Sequence, residues 1–426
     1  MGPGGACVPV KLRGVLCVLA PLLLLIPLAP AADAPDWNAE TLTGDWGGTR
    51  SALSARGVTV EIVLKADVLS NRSGGIRRGT RYMDNWDFKL KADADKLWGW
   101  TNTTAYVLVL SNHGGKLNAT HVGSFMGVDN IEVGTNTTKL FHAWLEKSFF
   151  DDKFSILAGL YPVDSEFYVT EASGLFLHPT GGMAAELAQT GRNGPSIFPT
   201  SSLGVRVKWR PAPKLEFLAA LLDGVPGDPR NPHGTHIRFE RGDGSLAISE
   251  IALRPGDANK EAISKYAAGY WRYTPRFDDL TETDGLGNPL RRVNRGVYFL
   301  GEQTVYREKN DPSQGMALFL RYGVASGDVN TLDYSWSLGL HYKGLLPGRD
   351  DDEFGIGFTR GHAGAKARQA AAPPLEANET ALEITYRARL TPWLAIQPVL
   401  QRIFNPGHDR ALGNARVAGA RIEIAF

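Results

Sequence analysis

Apolar and polar side chains alternate with a period of two in several segments of this chain. Over residues 58–69, one face of an extended strand would carry only apolar residues, and residues 86–93 repeat the pattern. The charged positions on the opposite faces are Glu61, Lys65, Asp67, Asp87, Lys89, Lys91 and Asp93. Charges at every second position are costly in a closed apolar core but natural beside a water-filled lumen. The pattern therefore predicts strands with one apolar and one solvated face.

Alternation alone fits two architectures, a soluble β-sandwich with polar outer faces and a membrane β-barrel with a polar lumen. No second long apolar segment follows Leu28. A chain of this kind can cross a membrane only as a closed barrel, because lipid offers backbone polar groups no other partner. Its length of 426 residues suits one large barrel. We predict an all-β fold, a transmembrane antiparallel up-and-down β-barrel of about 16 strands.

Short and long connections alternate along the chain. Tight links are predicted at Asp151–Lys153 and Ala212–Lys214. Longer polar stretches, which fit extracellular loops, are Ser111–Lys139, Asp223–Gly244, Arg276–Arg292 and Gly361–Glu379. Tight turns at one end and long loops at the other are typical of outer-membrane barrels.

The N-terminus indicates export. Lys11 and Arg13 precede an apolar run, Val15–Leu28, and small residues follow up to Ala31. This is the order of a secretory signal, and the run is short for a membrane helix of about 20 residues. We expect a signal peptide at residues 1–31, with cleavage after Ala32 or a retained anchor as alternatives.

Two further segments complete the expected domain organisation. Residues 32–57 form an N-terminal periplasmic segment, and residues 58–426 form the outer-membrane barrel. A short helix is predicted at Thr49–Arg56, because good helix formers there are followed by Gly57, a residue suited to a helix C-terminus. We expect this helix to rest against the periplasmic rim.

Composition argues against several other functions. The chain has 46 Lys and Arg against 45 Asp and Glu without a basic block, which does not favour nucleic acid. Both cysteines, Cys7 and Cys17, lie in the signal, so the mature chain has no thiol chemistry. Phosphate-binding and nucleophile-elbow motifs are absent from the sequence. We expect no catalytic residue, no metal and no cofactor.

Several segments resemble the carbohydrate-selective porins of the OprB family. The most characteristic is Leu42–Arg50 (LTGDWGGTR), which precedes a short helix and the first strand. The others, in family order, are Ser165–Phe176, Ile197–Gly204, Leu222–Pro229, Glu383–Arg387, Thr391–Leu394, Gln397–Pro398 and Asn405–Gly407. The resemblance spans nearly the whole mature chain, from about Leu42 to Phe426.

The resemblance implies a 16-stranded outer-membrane barrel, often a homotrimer, through which glucose and related small sugars diffuse passively. It also implies that Phe426 helps the barrel assembly machinery to recognise the chain within the outer-membrane lipid. The alternatives are a porin for other solutes, such as small anions or aromatic acids, and an outer-membrane lipid hydrolase. The near-zero net charge does not favour a strong anion or cation filter.

Sugar passage requires hydrogen-bonding groups and aromatic faces around a narrow waist. The long loop from Pro162 to Gly204 is predicted to fold inward and form that waist. Candidate substrate-pathway residues are Glu61, Lys65, Asp67, Asp87, Lys89, Lys91, Glu166, Glu171, Arg192 and Arg206. For each of them, an ordinary charge in a wet lumen or loop remains the alternative. Tryptophans expected at the membrane interfaces are Trp98, Trp100, Trp271, Trp336 and Trp393.

Overall fold

The structure, a computed structural model, describes residues 36–255 and 263–426. The predicted signal peptide, residues 1–31, and the beginning of the predicted segment 32–57 lie outside the described residues. Within the described ranges, no helix is both long and apolar enough to cross a membrane.

The described residues form sixteen antiparallel strands in one closed barrel. Each strand pairs with its neighbours in sequence, and β1 pairs with β16 to close the seam. The strands are β1 (Val58–Gly75), β2 (Gly79–Asp93), β3 (Thr103–Gly114), β4 (Thr137–Phe149), β5 (Phe154–Tyr161), β6 (Ser202–Ala212), β7 (Leu215–Asp223), β8 (Ser245–Leu253), β9 (Ser264–Thr283), β10 (Pro289–Arg307), β11 (Gly315–Ala325), β12 (Leu332–Lys343), β13 (Glu353–Ala363), β14 (Asn378–Thr391), β15 (Leu394–Phe404) and β16 (Gly413–Ala425). The all-β barrel and its strand number are confirmed.

The alternation in the sequence becomes the difference between the two faces of the barrel. The register of β1 against β2 places Glu61 opposite Lys89, and both face the lumen. The intervening residues face outward, where Val68 lies opposite Tyr82 and both are exposed. An exposed apolar outer face is stable in lipid and would be costly in water.

The barrel has two different rims. At the turn rim, even-numbered strands lead to the next strand through links such as residues 150–153 and 213–214. At the loop rim, several odd-numbered strands lead on through long segments, among them residues 115–136, 162–201 and 224–244. We call these three segments the first inner loop, the second inner loop and the roof loop.

The prediction of a long loop at Arg276–Arg292 is wrong. Strands β9 and β10 extend into this stretch, so that residues 284–288 alone connect them. Charged side chains pair across the extended hairpin, as Arg292 Nε does with Asp279 Oδ2 at 3.0 Å. Because cross-strand ion pairs can stabilise a hydrophilic hairpin, the polarity of this stretch did not require a loop.

Four short α-helical segments accompany the strands in the described residues: α1 (Thr49–Ala55), α2 (Ala94–Trp98), α3 (Ala185–Ala188) and α4 (Ala365–Ala370). Helix α1 lies within the predicted helical segment, directly before β1. Arg50 donates from Nη2 to the backbone oxygen of Phe426 at 2.8 Å, and Leu42 N donates to Ala425 O at 2.8 Å. The segment before β1 therefore contacts the end of β16 at the turn rim.

Much of the lumen is filled by the two inner loops. The second inner loop buries Phe167 and Tyr168 against Trp271, and the Tyr168 ring stacks on Tyr298 with centroids 3.9 Å apart. The prediction that Trp271 lies at a membrane interface is therefore wrong. This residue lies on the lumenal face of β9, because its register partners are lumenal too.

Candidate functional site

Glutamates on the lumenal wall hold the second inner loop. Glu383 of β14 accepts from the backbone N–H groups of Leu177 and His178, each at 2.8 Å. Glu250 of β8 accepts from Tyr168 N at 2.8 Å. Carboxylates that accept backbone N–H groups make strong, charge-assisted hydrogen bonds. This loop is thereby fixed to the wall as the predicted waist requires.

The wall also provides donors and space for this loop. The guanidinium of Arg321 on β11 is fully buried and donates to the backbone oxygens of Thr180 and Gly182. A Cβ atom added at Gly355 or Gly357 of β13 would lie within 2.9 Å of the Phe176 ring. Glycine at these two positions lets the loop approach the wall closely.

A glutamate on the lumenal wall also holds the first inner loop. Glu379 accepts from Phe125 N at 2.8 Å and Met126 N at 2.9 Å. Arg421 of β16 binds Asp67 of β1 through two hydrogen bonds of 2.8 and 2.7 Å. Asp67 is fully buried, so this predicted pathway residue lies in an ion pair closed off from solvent.

Other predicted residues form a charged wall on β1 and β2. We define the charged wall as Glu61, Lys65, Asp87, Lys89 and Lys91, which all face the lumen and are exposed or half-buried. Glu61 and Lys89 form a cross-strand pair at 3.4 Å. Since the wall carries both signs, it offers hydrogen-bond donors and acceptors side by side.

Arg206 occupies the centre of a buried ion-pair cluster. Its guanidinium donates to Glu166 Oε2 at 2.7 Å, Glu146 Oε1 at 2.9 Å and Ser155 Oγ at 2.8 Å. Glu166 belongs to the second inner loop, so the cluster ties this loop to β4, β5 and β6. Lys208 adds a further ion pair with Glu166.

The remaining predicted residues are on the exposed side of the second inner loop. Glu171 is exposed near its middle. Arg192 lies at the loop rim, where it donates to Gly242 O at 2.8 Å in the roof loop. These two residues do not join the charged wall.

A row of rings lies beside the charged wall. We define the aromatic file as Phe141, His142, Tyr106 and Trp144. Consecutive ring centroids are 4.9, 5.4 and 5.1 Å apart, from the loop rim towards the turn rim. All but Phe141 are half-buried.

Strand geometry explains how the aromatic file forms. A bulge in β4, where β3 pairing skips a residue, brings the consecutive residues Phe141 and His142 into the lumenal row. The β2–β3 register then places Tyr106 directly opposite Lys91. A solute on the rings is therefore next to the charged wall. The predicted substrate-pathway residues include none of these rings, although the alternation of Thr104, Tyr106 and Leu108 indicates the lumenal face of β3.

Burial shifts the pKa of two groups in the second inner loop towards their neutral forms. Burial lowers the pKa of His178 to about 3, so the ring is neutral at ordinary pH. Burial raises the pKa of the Asp164 carboxyl to about 6, although Phe198 N donates to it at 3.0 Å. Among residues 36–255 and 263–426, no cluster of three or more His, Cys, Asp or Glu residues could hold a metal ion.

The chain is similar to known channel proteins over almost its full length. Residues 77–426 match the model of the family described as carbohydrate-selective porin, OprB family. Porin B of Pseudomonas aeruginosa is 26% identical, covering 93% of this chain and 94% of that protein. The putative porin QuiX of Acinetobacter baylyi is 22% identical, covering 90% and 93%.

Solved structures share the fold. The high-pH structure of Pseudomonas putida OprB matches with a TM-score of 0.81 and 22% identity, covering 92% of this chain and all of that one. The outer membrane channel DcaP of Acinetobacter baumannii matches with a TM-score of 0.52 and 10% identity, covering 87% and 97%.

Proposed function

The chain belongs to the OprB family of carbohydrate-selective porins in the bacterial outer membrane, and from this premise we propose that glucose and related small sugars cross it along the aromatic file. The observation that carries the proposal is the file itself, with three half-buried rings in the lumen beside the charged wall. The C–H face of a pyranose packs on an aromatic ring, and its hydroxyls exchange hydrogen bonds with charged side chains.

The predicted residues divide between two roles in this pathway. Glu61, Lys65, Asp87, Lys89 and Lys91 contact the passing sugar from the charged wall. The others act through the structure of the lumen. Asp67, Glu166 and Arg206 hold the inner loops, Arg192 lies at the loop rim, and Glu171 is exposed in the second inner loop. Such contacts must each be weak, because a tightly bound sugar would stop conduction.

The alternative solutes gain less support. The charged wall mixes both signs, which does not favour a filter for small anions or aromatic acids. The family and the fold are those of a channel rather than an enzyme such as a lipid hydrolase. We propose that the sugar passes unchanged and down its own gradient.

The remaining proposals concern processing and partners. Residues 1–31 are removed as a signal peptide, residues 32–57 remain in the periplasm, and residues 58–426 span the membrane. The barrel assembly machinery recognises Phe426, outer-membrane lipid surrounds the apolar face, and the mature protein is a homotrimer.

The test is sugar block of ion current through the folded protein in a planar bilayer. We expect saturable block by glucose, with a different affinity for a disaccharide. In Trp144→Ala the affinity should fall roughly tenfold, the loss of one aromatic contact of about 1.4 kcal/mol. Trp336→Ala, which removes an outward-facing ring stacked on Phe358, is the matched control and should leave the block unchanged. Steady current at every sugar concentration would remove the carbohydrate pathway.

A further inference from the structure

The roof loop covers a cavity at the loop rim that the lumenal pathway does not include. The loop reaches across to β4, where Gly234 N donates to Thr137 Oγ1 at 2.8 Å and Leu140 N donates to Thr235 Oγ1 at 2.6 Å. The cavity beneath it has a volume of about 310 Å³. Specific small-molecule sites begin at about this volume, which suits a single sugar ring.

The cavity is lined by both apolar and polar groups, as the binding of a sugar requires. Its apolar part is made by Ile197, Phe198 and several prolines, and its polar part includes Lys139 and Asn193. Donors and acceptors are both available to hydroxyl groups, and the Phe198 ring offers a face for the ring carbons.

The cavity is also well defined before any ligand arrives. Prolines 195, 199, 229 and 232 line its floor and roof and restrict their backbones. Lys139 Nζ donates to Thr200 Oγ1 at 2.8 Å, and Asn193 Nδ2 donates to Pro226 O at 2.6 Å. A preformed site loses less conformational entropy when it binds, so even a weak ligand can be held there.

Phe198 connects this cavity with the lumen. Its ring lines the cavity and also meets Phe141 edge-to-face, with centroids 6.1 Å apart and planes at 79°. Phe141 in turn contacts His142 in the aromatic file. We infer that the cavity under the roof loop is an external sugar subsite, where a sugar ring packs on Phe198 before it moves to the aromatic file. This inference rests on the proposed function.

The experiment measures association rates from each side of the bilayer separately. Glucose is added on the loop-rim side or the turn-rim side, and the rate of block is taken from current fluctuations. Phe198→Leu keeps an apolar side chain of similar size but removes the ring face. We expect the association rate from the loop-rim side to fall about threefold or more, and the rate from the turn-rim side to stay at the wild-type value.

Two further variants make the result decisive. Thr135→Trp fills the cavity from the first inner loop and should slow association from the same side. Phe239→Leu changes an exposed ring on the roof loop outside the cavity and should have no effect. A shift in electrophoretic mobility on heating confirms that each variant is folded.

The outcomes separate this inference from the proposed function. If Phe198→Leu and Thr135→Trp both keep the wild-type rate from the loop-rim side, while Trp144→Ala still weakens the block, the subsite is refuted and the pathway stands. Equal slowing from both sides would place Phe198 in the common pathway and also refute a separate subsite. If glucose never blocks the wild-type channel, the proposed function and the subsite fail together.

Discussion

Charged residues of the same type have different roles in this lumen, depending on what covers them. Glu61 faces open lumen beside Lys89, whereas Glu383 is buried under the second inner loop and accepts two of its backbone N–H groups. Asp67, one repeat of the alternation beyond Lys65, is buried with Arg421. The neighbours of each residue, rather than its type, decide whether it meets solute or holds the wall.

The Asp67–Arg421 pair allows a direct test at this scale. Arg421→Met should lower the free energy of unfolding by about 3–5 kcal/mol, because it leaves the buried carboxylate of Asp67 without its cation. The measurement is equilibrium unfolding in denaturant from lipid vesicles, followed by tryptophan fluorescence. Arg410→Met, which removes an exposed pair with Glu376, should cost less than about 1 kcal/mol. Equal losses in the two variants would contradict the buried-pair explanation.

The alternation was sufficient to predict which strand residues face the lumen, but not what they contact. The lumenal positions of Glu61, Asp87 and Lys89 follow from period two alone. The burial of Asp67 depends on Arg421, 354 positions away in sequence. No local pattern contains that pairing, and the same limit explains why Trp271 was expected at the membrane interface.

At the scale of elements, the inner loops give the barrel its internal shape. The two-residue alternation of apolar and polar residues does not predict the conformation of such loops, because their backbones lack a repeating geometry. The inward fold of the second inner loop was predicted only from its length and the resemblance. Its attachment depends on carboxylates of β8, β10 and β14 that the sequence presents as ordinary lumenal residues. The β4 bulge, which completes the aromatic file, was equally hidden, because one extra residue leaves no distinct signal.

Attachment by carboxylates predicts that each inner loop can be released separately. Glu383→Gln replaces one carboxylate oxygen with an amide NH2 group, which faces one of the two backbone N–H donors, at a cost of about 1.5 kcal/mol. Local opening of the second inner loop should increase, and trypsin should cleave after Arg192 roughly tenfold faster. The products are identified by mass spectrometry.

The first inner loop provides the matched control for this experiment. Glu379→Gln disturbs the contacts with Phe125 and Met126, so cleavage after Lys116 should accelerate while cleavage after Arg192 stays slow. If either variant accelerated both cleavages equally, the loops would open as one unit and separate attachment would be excluded.

At the scale of the whole molecule, the segment before β1 contacts the last strand. Its motif, Leu42–Arg50, includes Gly47 and Gly48, whose φ angles of 64° and 91° strongly favour glycine. Asp45 Oδ1 accepts from Ser51 N at 2.8 Å and so orders the beginning of α1. Arg50 packs over Trp46 and donates to Phe426. The motif that carries the family resemblance thus has a structural role at the seam.

This contact predicts a specific loss of stability. Arg50→Ala should lower the free energy of unfolding by about 1–2 kcal/mol, because it removes charge-assisted hydrogen bonds to Thr41 and Phe426. Thermal unfolding in detergent, followed by the mobility shift on heating, measures the change. Arg56→Ala alters an exposed arginine that directly follows the same helix and should unfold like the wild type. A variant of Arg50 with wild-type stability would show that the contact contributes nothing.

The β1–β16 seam also has a consequence for the time course of folding. β1 is the first strand in sequence, yet its second partner, β16, is the last. Pairings this distant in sequence form slowly, so one edge of β1 stays open while the rest of the sheet grows. An open edge invites pairing with other chains, and inward-pointing charges such as Lys65 and Asp67 discourage it. The charges on β1 therefore act against pairing with other chains before there is a lumen for them to line.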